Sequence, residues 1–388
     1  MQSKFDPSAA GEAGETIRRR VIETAQTVVV KVGTNVLSTS SDRLDRDRIA
    51  SLADQLAAIR SDGRRVILVS SGAVGAGMGL IGLTERPSEL PKLQAAAALG
   101  QAQLIRDYDE ALRRFGLHAA QLLLTGSDFK DRRRYLNVRN TLSALGEWPC
   151  IPIINENDTV SVREIQFGDN DRLAALVASL SPESLLVLLT TADGLLDGPP
   201  SESESRRIPL VRSWSDELRS FATADRSRRG TGGMRSKLDS VRMATSVGEN
   251  VLIADGRQDG VLTAIMSGDD VGTLFLADDA TMPAYKRWIA QAVPPAGRLH
   301  VNDGAHTAVS REGRSLLAVG VERVEGRFDR GDVVAIVRDG SEFARGLVNY
   351  GDREAAAIAG CRSPQFEERI GRCPYPSLVH RDNLALLS

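Results

Sequence analysis

Residues 27–35 read Thr27-Val28-Val29-Val30-Lys31-Val32-Gly33-Thr34-Asn35. A short β-branched run closed by glycine is a buried strand feeding a turn. Apart from Lys31, nothing in the run asks for a solvent face. Strands buried on both faces belong to parallel-rich sheets in α/β proteins. Lys31 is the anomaly. A lysine at the end of such a strand is costly unless its ammonium reaches a polar site. Gly33 permits close backbone approach by a ligand. On this motif alone, an anion site for phosphate and an edge lysine snorkelling to solvent stand level.

Working outward, strands and helices alternate. Residues 45–60 place Ile49, Leu52, Leu56 and Ile59 at helical spacing. RVILV at 65–69 is a second buried strand, ending in Ser-Ser-Gly. Residues 91–115 form a long alanine-rich helix with Pro91 suited to its first turn. HAAQLLLT, PCIPIIN, ESLLVLLT and NVLIAD read as further strands. Helices are expected near 134–147 and over DNDRLAALVASL, MRSKLDSVRMATSVG and DGVLTAIMSG. The pattern predicts an α/β fold, a three-layer αβα sandwich with a mostly parallel central sheet. In such sheets ligands sit beyond the carboxyl ends of the strands.

After GTLFLADDA the pattern changes. Pro283, Pro294 and Pro295 bracket a short segment, and a strand-rich, glycine-punctuated stretch follows that reads as a small β-barrel. The expected organisation is a disordered or frayed extension at 1–24, an α/β domain at 25–277 and a linker at 278–295. A small β domain at 296–374 and a tail or edge segment at 375–388 complete it.

The chain of 388 residues carries 49 basic and 51 acidic side chains, a net charge of −2. That balance argues against holding nucleic acid by bulk electrostatics. With 42 % hydrophobic and 26 % charged residues the composition is that of a globular chain, which excludes wholesale disorder. No apolar run reaches the roughly 20 residues of a membrane span. The first 24 residues lack the apolar core of a secretory signal. Cys150, Cys361 and Cys373 have no CxxC spacing, so neither a disulfide framework nor a zinc site is expected, and a reducing cytoplasmic setting fits best. Only six of the 49 basic residues are lysines: Lys4, Lys31, Lys92, Lys130, Lys237 and Lys286. A GC-rich genome accounts for the arginine surplus. It leaves the question of where an arginine would not serve.

Three more motifs carry chemistry. Ser70-Ser71-Gly72-Ala73-Val74-Gly75-Ala76-Gly77 follows a strand and offers backbone N–H groups as an anion nest, or is a plain flexible loop. It matches neither the P-loop spacing nor the dinucleotide fingerprint. Asn155-Glu156-Asn157-Asp158 and Phe167-Gly168-Asp169-Asn170-Asp171 gather carboxamides and carboxylates at one loop region. They could bind an amino group, a hydroxyl or a hydrated metal, or serve as turn and helix-cap residues. Gly230-Thr231-Gly232-Gly233-Met234-Arg235-Ser236-Lys237 opens a helix whose N–H donors and positive dipole end suit phosphate. The polar stretch upstream suits a mobile nucleotide lid.

The ordered set VVVKVGTNVLS, ILVSSGAVGAG, IPIINENDTV, FGDNDRLAALVA and GTGGMRSKL resembles the signature segments of the amino-acid kinase family. Within it, the likeness is to the branch that phosphorylates glutamate at the start of proline biosynthesis. It runs from about residue 26 to the C-terminus, where the small β domain resembles a PUA module. The resemblance implies that 25–277 is the catalytic domain of a phosphotransferase using ATP and Mg²⁺, with the metal held mainly through ATP and no protein ligand assigned to it. Lys31 and Lys237 then hold the transferring phosphoryl group and Asp171 organises the two lysines. Ser71, Asn155, Asp158, Asp169 and Asn170 contact glutamate. Lys31, Gly33, Thr190, Thr191 and the run Gly230, Thr231, Gly232, Gly233, Met234, Arg235, Ser236 and Lys237 serve the nucleotide. The family often has Thr-Asp where this chain has Thr190-Thr191, with Asp193 two residues on. Homo-oligomerisation and feedback inhibition by proline are implied by the resemblance alone.

The implied chemistry suits these residues. A glutamate side chain, with a pKa near ~4.3, is already an anion at neutral pH. No general base is needed, and His118, His300, His306 and His380 all lie outside the motifs. Positioning and electrostatic stabilisation supply the rate. The competing expectation is an RNA-binding PUA protein with a non-catalytic kinase-like domain. Residues 281–388 hold 15 basic and 13 acidic side chains, a weak electrostatic footprint for RNA.

Overall fold

A computed structural model describes residues 12–39, 43–130, 132–160, 170–181, 183–198, 205–215, 218–221, 233–278, 286, 289–290 and 294–387. The chain divides into two units, Met1–Ala280 and Thr281–Ser388.

The first unit runs α1 (Glu12–Thr24), β1 (Thr27–Val32), α2 (Thr34–Leu37), α3 (Arg46–Ser61), β2 (Arg65–Ser70), α4 (Ala73–Leu80) and α5 (Leu90–Arg113). It continues with β3 (His118–Leu124), α6 (Gly126–Lys130), α7 (Arg132–Leu145), β4 (Cys150–Glu156), α8 (Asn170–Ala178) and β5 (Ser184–Thr190). Then come β6 (Leu210–Val211), α9 (Leu218–Phe221), α10 (Met234–Thr245), β7 (Asn250–Asp255), α11 (Val261–Ser267) and β8 (Thr273–Phe275). The strands form one eight-stranded sheet in the order β3-β4-β2-β1-β5-β7-β8-β6. Pairing from β3 through β7 is parallel, and β8 joins β7 antiparallel.

β1 sits at the centre between β2 and β5, with Lys31 registered against Val69 and Leu188. The chain leaves β1 toward β2 on one side and continues from β5 to β6 and then β7 on the other, so the connections diverge between β1 and β5. That is a topological switch point, where a crevice opens beyond the strand ends.

Strand alternation decides which side chain faces which helix layer. Val28, Val30 and Val32 join one buried cluster with Ile49, Leu52 and Leu56 of α3, Leu104 and Tyr108 of α5, and Leu262 of α11. Val29 and Lys31 therefore face the other layer, where α8 packs on β1 and α10 packs on α8. Helices α4 and α5 meet backbone to backbone. A Cβ on Gly100 would lie 1.7 Å from the Ala73 carbonyl oxygen, and one on Gly77 would lie 1.8 Å from that of Ala96. Glycine is the side chain that such an approach admits.

The N-terminal expectation needs correction. Residues 12–24, expected within a disordered or frayed extension, form α1. Ile22 joins the core, and the buried Arg18 guanidinium donates to the carbonyls of Val271 at 2.7 Å and Pro209 at 3.0 Å and to Asp270 Oδ1 at 3.2 Å. The polar composition masked an amphipathic helix with a buried arginine at its centre.

The second unit carries β9 (Gly297–Val301), β10 (Val321–Gly326), β11 (Val333–Arg338), β12 (Ser341–Val348) and β13 (Val379–Leu386). They form a five-stranded sheet in the order β10-β9-β11-β12-β13. The segment 375–388, expected as a tail or edge segment, supplies β13, which closes one edge by antiparallel pairing with β12. Leu299, Val334, Ile336, Tyr350, Phe366 and Val379 form its core.

Candidate functional site

The site is built at the carboxyl ends of the central strands. Lys31, one residue before the end of β1, is 3 % exposed. Its Nζ lies 2.6 Å from Asp171 Oδ1. Lys237, in the first turn of α10, is 7 % exposed, and its Nζ donates to Asp171 Oδ2 at 2.8 Å. Asp171 is fully buried in the first turn of α8, where the helix dipole favours a carboxylate. One carboxylate thus fixes two ammonium groups, and the cluster carries 2 − 1 = +1 net charge. A buried site with excess positive charge attracts an anion strongly, because the surrounding dielectric is low. The snorkelling alternative for Lys31 is excluded, since its ammonium is buried and ion-paired.

A Cβ on Gly33 would lie 3.7 Å from Lys31 Nζ. The turn after β1 therefore passes close to the lysine head and presents little bulk there. Gly233 caps α10 in extended conformation and contributes no side-chain cap, leaving the N–H groups of Met234, Arg235 and Ser236 at the amino end of the helix. Gly230, Thr231 and Gly232, with the stretch proposed as a lid, lie largely outside the described residues.

A second cluster adjoins the lysines. Asn170, next to Asp171 on α8, donates through Nδ2 to Ser71 Oγ at 2.9 Å, to Asn155 Oδ1 at 2.9 Å and to the Ser70 carbonyl at 3.2 Å. Three motifs distant in sequence, after β2, at the end of β4 and at the start of α8, are thereby tied together. Gly72 takes φ +105 at the start of α4, a backbone state that glycine reaches without strain. Asp158, just past β4, has its carboxyl pushed up from 3.8 to about 6 by burial, reinforced by the neighbouring Glu156 and partly offset by Arg86. Asp169 lies outside the described residues.

Thr190 ends β5 and Thr191 follows it, apart from these contacts. The Thr190 carbonyl accepts from Gly256 N at 2.8 Å, and that of Thr191 accepts from Arg257 Nη2 at 2.8 Å. Arg257 is itself held by Asp255, whose pKa that pairing lowers against the opposing effect of burial. Gln258 Nε2 donates to Asp193 Oδ1 at 3.3 Å, so Asp193 faces the same turn after β7.

Three residues of this neighbourhood escaped the sequence motifs. Gln101 Oε1 accepts from Asn155 Nδ2 at 2.8 Å. Tyr108, fully buried, shares a 3.1 Å hydrogen bond with Ser70 Oγ, and burial pushes its hydroxyl well above the usual tyrosine range. Arg86 tempers the Asp158 carboxyl. Gln101, Leu104 and Tyr108 share one buried face of α5. A glutamine on an apolar helix face was the signal available.

Residues 26–255 match the model of the amino acid kinase family, and residues 297–370 match the PUA domain. A protein named glutamate 5-kinase from Rhodopirellula baltica is 46 % identical over 373 residues, covering 95 % of this chain and 96 % of the relative. One of the same name from Caldanaerobacter subterraneus subsp. tengcongensis is 45 % identical, covering 93 % and 97 %. Among solved structures, carbamate kinase from Giardia lamblia bound to AMP-PNP aligns at 18 % identity with a TM-score of 0.47, covering 66 % of this chain and 99 % of that one. With the family model spanning β1 through β7 and relatives at this identity over nearly the full chain, the chain belongs to the amino acid kinase family.

Proposed function

We propose that this chain transfers the γ-phosphoryl group of ATP to the side-chain carboxylate of L-glutamate, giving L-glutamyl 5-phosphate, the first step of proline biosynthesis. The observation that carries the reading is the buried Lys31–Asp171–Lys237 cluster beside the Ser71–Asn155–Asn170 cluster. The first suits a transferring phosphoryl group, the second a small polar acceptor. The substrates are MgATP, its metal carried by the nucleotide, and glutamate.

The acceptor carboxylate arrives ionised, so no residue removes a proton. The difficulty is charge, because an anion must approach a polyanion. Lys31 and Lys237 neutralise the equatorial oxygens as charge spreads over them, and Asp171 holds both ammonium groups in place so that no reorganisation is needed during transfer. Gly33 and the N–H groups from Gly230 to Ser236 cradle the phosphates, with Thr190 and Thr191 on the nucleotide side. Ser71 and Asn170 contact a carboxylate of glutamate, with Asn155 behind Asn170. Asp158 and Asp169 receive its α-ammonium. The upward push on Asp158 fits this role, because a half-buried carboxylate lacking a strong cationic partner is poised to take one.

Among the described residues no helix is long and apolar enough to cross a membrane. A cytoplasmic setting, self-association and inhibition by proline belong to the same proposal, supported by the resemblance of the chain to its family. The test is ADP formation with purified protein, ATP, Mg²⁺ and each of L-glutamate, N-acetylglutamate, aspartate and UMP, with hydroxylamine trapping of the acyl phosphate from the three carboxylate acceptors. The γ-hydroxamate is expected with L-glutamate. No product with any of the four would refute the enzyme reading, and product with a rival alone would refute the substrate.

A further inference from the structure

Gln101 has no part in the phosphoryl chemistry, yet it is only 8 % exposed on a helix face otherwise made of Ala97, Leu104 and Tyr108. A primary amide buried among apolar side chains costs free energy unless its hydrogen bonds serve something. Its Oε1 accepts from Asn155 Nδ2 at 2.8 Å, while its Nε2 has no hydrogen-bond partner among the described residues. The side chain is thus tolerated for its oxygen.

That oxygen begins a directed chain. With Nδ2 turned to Gln101, Asn155 Oδ1 faces the other way and accepts from Glu156 N and Asn170 Nδ2, both at 2.9 Å. Asn170 Nδ2 also donates to Ser71 Oγ at 2.9 Å and to the Ser70 carbonyl at 3.2 Å. Ser71 Oγ is the acceptor in that contact, so its own hydrogen is not needed for it. A carboxylate requires donors, and a hydroxyl hydrogen left over in this way is one. Were the Asn155 amide turned over, its NH₂ would meet the NH₂ of Asn170 and the N–H of Glu156, two donor–donor contacts. Gln101 Oε1 supplies the acceptor that makes the observed orientation favourable from the α5 side.

We infer that Gln101 is a positioning residue for the carboxylate acceptor: it orients Asn155 and, through Asn155, sets the donor direction of Asn170 and Ser71. The inference rests on the proposed glutamate reaction.

Gln101→Met and Gln101→Glu in the full chain test it by hydroxamate kinetics. The methionine keeps the volume and removes the acceptor. The glutamate keeps an acceptor oxygen in either protonation state. Gln101→Met is expected to raise the glutamate KM about tenfold, the size of one buried donor left unsatisfied, with the ATP KM unchanged. Gln101→Glu is expected to restore the glutamate KM to within about threefold of the parent. A parent-like glutamate KM in the Met variant overturns the inference. So does a Glu variant as impaired as Met, or a loss shared equally by kcat and both KM values. If the Met variant does not fold, the Glu variant decides alone, since the inference requires it to keep its glutamate KM. If the parent itself makes no hydroxamate, the reaction reading fails instead. The side-chain amide resonances of Asn155 then judge the orientation: they must shift in the Met variant and stay in place in the Glu variant, and any other pattern overturns it.

Discussion

The Asp158 carboxyl offers a prediction in which function and stability move in opposite directions. Its pKa is raised from 3.8 to about 6, with burial the leading cause and Glu156 adding to it, while Arg86 acts the other way. The folded state therefore binds this proton more tightly than the unfolded chain does. A raised carboxylate contributes its penalty above the folded pKa and loses it as pH falls through about 6 toward 3.8. About two pKa units correspond to roughly 3 kcal/mol, reduced to about 2 kcal/mol by residual solvent screening. Asp158→Asn removes the half-buried charge, so the ligand-free variant is expected to be about 2 kcal/mol more stable than the parent at neutral pH and hardly more stable near pH ~4. Function should go the other way. An α-ammonium requires the ionised carboxylate, which makes up about 97 % of the population at pH 7.5 and about 9 % at pH 5 for a pKa near 6. The glutamate KM of the parent should therefore rise about tenfold over that interval, with the ATP KM as control. Glutamate keeps its ammonium throughout and most of its side-chain charge, so the change belongs to the protein. Asp158→Asn should show a high glutamate KM independent of pH. The assays are urea unfolding at two pH values and hydroxamate initial rates across the range. A flat glutamate KM in the parent, or a variant that is less stable at neutral pH, would refute the reasoning.

Other predictions address the rest of the site. Asp171→Asn leaves two buried lysines without their shared counter-charge, which should cost roughly 3–5 kcal/mol of stability and on the order of 10²–10³ in kcat. The ATP KM should not rise, because both cations remain; a kcat within a few-fold of the parent would contradict the organising role. Lys31→Arg and Lys237→Arg conserve charge but put a broad planar fork where a compact ammonium sits 2.6 or 2.8 Å from Asp171. Turnover should nearly vanish in both, while Lys4→Arg changes nothing, as steady-state rates will show. Gly100→Ala adds a Cβ 1.7 Å from the Ala73 carbonyl, so melting should report a loss of about 3 kcal/mol or more from overpacking. Helix propensity alone would predict a gain of about 1 kcal/mol there, so a raised melting temperature would overturn the account.

Much of the molecule is legible in its sequence. The β-branched runs at 27–32 and 65–70 and the leucine run at 184–190 are strands because apolar side chains on both faces leave the backbone few other places to bury them. Lys31 stands out because a lysine in a buried strand is costly, Lys237 because a glycine-rich turn opens its helix, and the role of Asp171 comes from the family resemblance. Residues 12–24 read as an extension because charged side chains outnumber Ile17, Val21 and Ile22, and the helix is anchored only by the packing of these three and the contacts of Arg18. For 375–388 the sequence leaves a tail and an edge segment open, because eight residues with one polar face pair as a strand only when β12 offers its edge.

The sequence by itself determined the alternation of elements, and with it the α/β class and the strand ends where polar motifs gather. It also supplied the ordered motif set that marks the family. Only the tertiary structure decided that Lys31 faces the α8–α10 layer, that one carboxylate holds two lysines 206 positions apart (237 − 31), and that Gln101 stands behind Asn155. The physical reason is range. Periodicity and propensity act over a few residues, whereas the direction of a hydrogen bond and the sharing of a buried charge exist only once distant strand ends are brought together by the packing of the sheet.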